Sequence, residues 1–288
     1  QSDGTYDWEK QSGQRWFSVV RDVLPEAEIL HVSERELRSD KGSQVRRFCP
    51  SIIVLAGPST SRVEVLHFLV GLDASFLIEK PIAGSIEQAV ELAALLGSSV
   101  GVVQVGYNLR FSLSLLAFKE VLREMSLGRV LSVRAETGQF LPTWRPLGDD
   151  RESVSAVSSL GGGVLLELSH EIDYLQFIFG PIQWVSAWFA QQSSLDIDVE
   201  DTAFLTFGFE QSTSGKLVAQ LNLDFVRQDR TRSITAICEN GTLRWDGILG
   251  LVEKYVPASE GWQTIFQESG EPSTYHSEFN YFLESIKE

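Results

Sequence analysis

Two short stretches of this chain carry side chains suited to acid–base chemistry. In GGGVLLELSHEIDYLQFIFG, residues 161–180, His170 stands midway between Glu167 and Asp173, three positions from each. Positions three apart on a helix are neighbours. A carboxylate beside an imidazole orients the ring and raises its basicity, which is the arrangement of a general acid/base. The same spacing also fits a hydrogen-bonded structural face, because perturbed groups arise in structural networks too. The second stretch is Glu79-Lys80-Pro81, where Lys80 leaves the apolar run SFLI just before a proline that favours extended backbone. An ammonium placed there could polarise a substrate oxygen or move a proton, or it could simply pair with Glu79 or another nearby acid. His-x-x-Asp comes with no third ligand in an obvious place, so no metal site is expected.

The elements that must position these groups fall into two compositional halves. Up to about residue 125, the apolar runs EILHVS (28–33), SIIVLAG (51–57), SFLIEK (75–80) and VGVVQVGY (100–107) read as strands. GQRWFSVVRDVL, SRVEVLHFLVGL and SIEQAVELAALLG lie between them with helical spacing, the last opening at a Gly84-Ser85 cap and closing at Gly97. Unbroken apolar strands separated by helices predict an α/β, Rossmann-like doubly wound parallel sheet covered on both faces. Beyond about residue 130, six segments from RVLSVRAETGQF to TLRWDG alternate with period two, predicting an α+β domain with a large open mixed or antiparallel sheet, polar on its outer side. Asn240-Gly241 between SITAIC and TLRW is read as a two-residue hairpin turn rather than a glycosylation site. Residues 112–125, the apolar-striped helix 161–180 and the terminal YHSEFNYFLESIKE supply the second half's helices. The expected division is 1–108 and 109–288.

Ligands of a doubly wound sheet bind at the carboxyl ends of its strands. Glu34 and Arg35 follow the first strand candidate, where an acid suits ribose hydroxyls and an arginine a 2′-phosphate; taken alone, the same residues read more readily as a solvated loop. Gly57-Pro58-Ser59-Thr60 is a small-residue turn that admits either a cofactor or a plain strand-to-helix connection. Asn108, Arg110, Gln139, Trp144 and Arg145 follow later strands, and such planar and forked groups suit hydroxylated or carboxylated ligands as well as structural contacts.

The totals narrow the field. Charged residues make up 22% and hydrophobic residues 43% of 288, an ordinary globular composition. A net charge of -15 argues against nucleic acid or an anionic membrane as partner. Two cysteines, Cys49 and Cys238, make no disulfide framework, and with no apolar run of spanning length a cytoplasmic setting is expected.

EKPIAGSIEQAVEL, VGYNLRF and GGGVLLELSHEIDYLQFIFG, in this order, resemble the glucose–fructose oxidoreductase / inositol dehydrogenase / MocA (Gfo/Idh/MocA) family. The likeness runs from about Gly13 onward, and GQFLPTWRP with the GGG stretch also resembles members found in surface-polysaccharide sugar pathways. The resemblance implies NAD or NADP and hydride transfer at a carbinol of a sugar-like substrate. It implies that Lys80 contacts cofactor and substrate, that His170 is catalytic or binds substrate, and that Asp173 is its partner. Glu167 stands one residue later than the acid many members carry before the histidine. Gly13-Gln14-Arg15 matches the end of the family's glycine loop, with Lys10 and Gln11 near the places of its first two glycines. The cofactor set it implies is Gly13, Gln14, Arg15, Glu34, Arg35, Pro58, Ser59, Glu79, Lys80 and Pro81. With Gln1 at its start and FLESIKE at its end, the chain is expected to be truncated at both ends relative to the family. A homo-oligomer through the second-half sheet is the implied assembly; the rival expectation is a catalytically silent relative acting as an interaction module.

Overall fold

The structure, a computed structural model, describes residues 8–37, 41–144, 153–211, 215–270 and 273–288. The chain forms two compact units: Gln1–Asn108 with Glu152–Gly162 and Tyr275–Glu288, and Leu109–Arg151 with Gly163–Thr274. The first unit therefore takes back two segments that a single cut at 108/109 assigns to the second. Each returns with apolar side chains to bury: Val154 and Ala156 in one, Phe279 and Phe282 in the other.

In the first unit β1 (Ile52–Leu55), β2 (Ser75–Glu79) and β3 (Val103–Gly106) form a parallel sheet in that order. Helices α1 (Trp8–Val23), α2 (Glu34–Leu37), α3 (Lys41–Phe48), α4 (Arg62–Leu69) and α5 (Ile86–Leu96) surround it. Successive residues of a strand point to opposite faces. Phe76 and Ile78 of β2 accordingly join Leu66 of α4 and Leu92 of α5, while Leu77 joins Trp16 and Val19 of α1 with Phe279 and Phe282 of α9 (Thr274–Lys287). Covering on both faces is what unbroken apolar strands require. The Ser85 side chain accepts from the Gln88 amide and caps α5 as its sequence predicts.

One predicted strand is absent. Residues 28–33 form no strand, because a strand needs a neighbour to satisfy its backbone. Among the described strands β1 pairs only with β2, and a cavity of about 590 Å³ lies among Leu30, Val32, Ile52 and Val54.

The second unit is built on a mixed sheet of β4 (Val130–Gly138), β5 (Ile182–Ala190), β6 (Thr202–Gln211), β7 (Gly215–Asp224), β8 (Thr231–Cys238), β9 (Gly241–Asp246), β10 (Leu251–Tyr255) and β11 (Gln263–Gln267). Their order is β11-β10-β9-β8-β4-β7-β6-β5, with β4 and β7 parallel and the other pairs antiparallel. Val133, Ala135, Ala203, Leu205, Phe207, Leu221, Ile234, Leu243 and Trp245 alternate along their strands and are all buried. The Trp245 indole donates to Ser114 of α6 (Leu113–Arg123) at 3.0 Å and stacks edge-on with Tyr174, 5.6 Å between centroids.

The opposite face is less polar than alternation predicts. Trp184, Trp188 and Phe204 are each about half exposed there, and IQWVSAWFA carries large apolar residues at both parities. Trp188 opposes Phe204 directly, 5.8 Å between rings. The hairpin between β8 and β9 is present, but its loop is Glu239-Asn240, and Gly241 already pairs with Cys238. A Cβ on Gly241 would stand 2.5 Å from the Tyr255 carbonyl oxygen, so neighbouring β10 demands the glycine. The short polar strands β10 and β11 left no period long enough to read.

Candidate active site

The first unit places Lys80 at the carboxyl end of β2. Its amide donates to the Glu79 carboxylate at 3.2 Å, and the Trp16 indole of α1 donates to the other Glu79 oxygen at 2.7 Å. Buried Arg62, first residue of α4, donates to the carbonyls of Gly57 (2.8 Å), Glu79 (2.7 Å) and Pro81. Pro58 and Ser59 therefore share one strand-end neighbourhood with Lys80 and Pro81. Gly161 lies against the buried Ser59: it has φ 82°, and a Cβ there would come within 2.4 Å of the Ser59 hydroxyl.

Gly13, Gln14 and Arg15 lie elsewhere than a phosphate loop would put them. All three are inside α1, where amides are committed to the helix rather than open to a ligand. A Cβ on Gly13 would stand 3.0 Å from His31 Nε2, so the glycine makes room for that imidazole. Arg15 donates to the Tyr275 hydroxyl at 2.7 Å and lies 4.8 Å over its ring. Burial, then the Glu79 charge, raises the Tyr275 pKa. The side chains of Glu34 and Arg35, and Arg145 altogether, fall outside the described residues.

In the second unit the predicted single helix 161–180 is two: α7 (Val164–Glu167) and α8 (Ser169–Phe179), broken at Leu168 with φ -96°, ψ 32°. His170, Glu171 and Asp173 thus share α8, while Glu167 closes α7. Gly163 has φ 105°, and a Cβ there would meet the Glu200 carboxylate at 2.4 Å. That carboxylate accepts from the Leu165 amide at 3.1 Å and so satisfies a free donor at the start of α7. Of the three glycines, Gly161 and Gly163 each combine a left-handed backbone with a close approach.

Cations supplied by other elements balance the acids of α8. Arg110 grips Asp173 through Nε at 2.8 Å and Nη2 at 2.6 Å, a forked, charge-assisted pair. Arg232 of β8 donates to the fully buried Glu171 at 2.8 Å. Beside them burial, then the Glu171 charge, raises the Tyr174 pKa. The expected ligand Arg110 is thus committed to Asp173 and also lies 5.4 Å over the Phe177 ring. Lys119 of α6 sits 3.3 Å over the same ring, its pKa lowered by desolvation and by the Arg110 charge. Sequence spacing misses Lys119 and Arg232, because neither lies near α8 along the chain. Trp144 donates to the Gln139 carbonyl at 3.2 Å and packs edge-on against Phe225 at 5.2 Å. Asn108 is buried, at the end of the first unit's opening segment.

One unit holds a three-stranded parallel sheet with a strand-end lysine and the other an eight-stranded mixed sheet with a histidine helix, which together make a Rossmann-like α/β chain. Residues 115–244 match the GFO/IDH/MocA C-terminal domain, which bears out the Gfo/Idh/MocA resemblance. D-xylose dehydrogenase of Paenarthrobacter nicotinovorans is 24% identical over 212 residues, 68% of this chain and 54% of that protein. The chain thus spans about half the length of this curated relative. A putative NADPH-dependent oxidoreductase from Desulfitobacterium hafniense superposes with TM-score 0.74 at 16% identity, covering 95% of this chain and 85% of the other. Levoglucosan dehydrogenase in complex with NADH and levoglucosan gives 0.69 at 17% identity, covering 86% and 74%. An inositol dehydrogenase homologue complexed with NAD+ from Azotobacter vinelandii gives 0.71 at 12% identity, covering 95% and 74%. These structural likenesses establish the shared fold. Among the described residues no helix is long and apolar enough to cross a membrane.

Proposed function

We propose that the chain serves an NAD- or NADP-dependent oxidoreductase acting on a carbinol of a sugar or sugar-derived substrate, in the cytoplasm and in surface-polysaccharide sugar metabolism. The observation that carries this reading is the fixed backbone of Lys80 at the carboxyl end of β2, beside the small-residue turn Gly57-Pro58-Ser59. Strand carboxyl ends are where this kind of sheet holds its ligands. The relatives named for D-xylose, levoglucosan and inositol dehydrogenation support the substrate class.

The nicotinamide side of the cofactor fits these residues: Pro58, Ser59, Glu79, Lys80 and Pro81 would hold it. The Gly13–Arg15 segment does not fit as a diphosphate cradle, since it is helix interior. When bound, the dinucleotide supplies the hydride acceptor or donor. Lys80 polarises the substrate oxygen through its ammonium. His170 exchanges the hydroxyl proton at its imidazole, with Asp173 and its partner Arg110 fixing the charge on that stretch of α8. Gln139 and Asn108 contribute polar contacts to the sugar hydroxyls, and Trp144, whose one N–H is taken by the Gln139 carbonyl, contributes its ring face. A second copy of the chain covers the aromatic outer face of β5 and β6, giving a homo-oligomer.

Fluorescence titration with NADH and NADPH tests the reading. Saturable binding of either supports it and ranks the two cofactors; a folded sample that binds neither overturns it. The second reading, a catalytically silent interaction module, is favoured by the helical setting of Gly13 and the engagement of Arg15 by Tyr275. It predicts that same absence of binding.

A further inference from the structure

We propose that Arg62 is the positioning residue of this site: its guanidinium ties the carboxyl ends of β1 and β2 together and sets the backbone on which Lys80 stands. The inference rests on the reading of Lys80 as a site lysine and adds a residue to it. Arg62 is only 3% exposed, although it opens a helix and arginine is rarely so buried. A buried charge is costly unless its donors are satisfied, and three of the acceptors that satisfy it here are backbone carbonyls at strand ends. Nη2 takes the Gly57 carbonyl just beyond β1 at 2.8 Å. Nη1 takes the Glu79 carbonyl at 2.7 Å and the Pro81 carbonyl, the two that flank Lys80.

The planar fork has the geometry for this task, presenting several fixed donors at once. A lysine at the same place offers one compact ammonium that cannot span both strand ends. Trp16 and Glu79 complete the frame from the other side: the indole fixes the carboxylate, and the carboxylate accepts the Lys80 amide. The backbone around Lys80 is thus held by groups from α1 and α4, while the Lys80 side chain itself makes none of these bonds. Arg62 touches neither reacting atoms nor proton path; it acts through Lys80 and through the Gly57–Ser59 turn.

The test is amide hydrogen exchange on the whole chain, read at peptides covering 57–60 and 79–84, beside thermal unfolding and NADH titration. Arg62→Met should raise exchange at least tenfold in both peptides and weaken NADH binding, with peptides of the second unit unchanged. Arg62→Lys should lose protection in at least one of the two peptides while remaining folded, and so decides the matter should the methionine variant fail to fold. Lys80→Met should leave exchange in both peptides as in the wild type. Wild-type protection in both peptides of a folded Arg62→Lys protein overturns the proposal. Lost protection with no NADH binding even in the wild type leaves the clamp standing and overturns the cofactor reading instead.

Discussion

Glu171 and Arg232 meet 2.8 Å apart beneath the large sheet, with the glutamate fully buried and the arginine side chain 19% exposed. The pair joins helix α8 to strand β8, so the helix that carries His170 is pinned by a charge rather than by apolar contacts alone. Removing one partner leaves the other buried without its counter-charge. Glu171→Ala is expected to lower stability by about 3–5 kcal/mol in urea unfolding. The double variant Glu171→Leu/Arg232→Met should be markedly milder than either single change. Equal losses in single and double variants would show that the pair is not the source.

His170 and Lys80 are expected to matter for turnover rather than for folding. With NAD+ and a panel of sugars and cyclitols, His170→Ala and Lys80→Ala should each reduce kcat/KM by roughly 10²–10⁴-fold. Thermal midpoints should stay within a few degrees of wild type, because both side chains are only partly buried. Near-normal turnover in either variant removes that residue from the mechanism.

The outer face of β5 and β6 predicts an assembly that a surface charge would break. Trp188→Lys with Phe204→Asp should convert the proposed oligomer to a monomer in sedimentation velocity. A wild-type chain that sediments as a monomer at tens of micromolar refutes the proposed contact.

Cys238 gives a pH signature. Burial, reinforced by the Glu239 charge, pushes its thiol from 9.0 up to about 11, so the folded state holds a proton that the unfolded state releases. The stabilisation is complete below about pH 9 and is lost as pH rises toward 11. Between pH 8 and pH 10 the wild type should lose about 1 kcal/mol more stability than Cys238→Ala. Parallel profiles for the two proteins would rule this out.

Most of the parallel sheet was legible because β1, β2 and β3 are unbroken apolar runs between helices with readable caps. Residues 28–33 carry the same pattern and still form no strand, since periodicity records which residues are apolar and says nothing of whether a partner strand stands alongside. The site was legible in its residue types and not in its pairings. His170, Asp173 and Arg110 could each be singled out, yet the grip of Arg110 on Asp173 spans 63 positions and leaves no local spacing to detect. The break at Leu168 escaped because the apolar helical stripe runs through it without a glycine or proline to mark it.

The core that Trp16 shares with Phe279 and Phe282 has a consequence for how the first unit is made. One face of its parallel sheet is closed by α9, which comes after the second unit in chain order. Leu77 and Trp16 must therefore wait, partly wetted, until Phe279 and Phe282, far later in the chain, have left the ribosome. Closure across such a separation is slow, because chain entropy is spent before the contact rewards it. During synthesis this open face is the surface on which a chaperone would act, and the second unit can be finished while the first is still ajar.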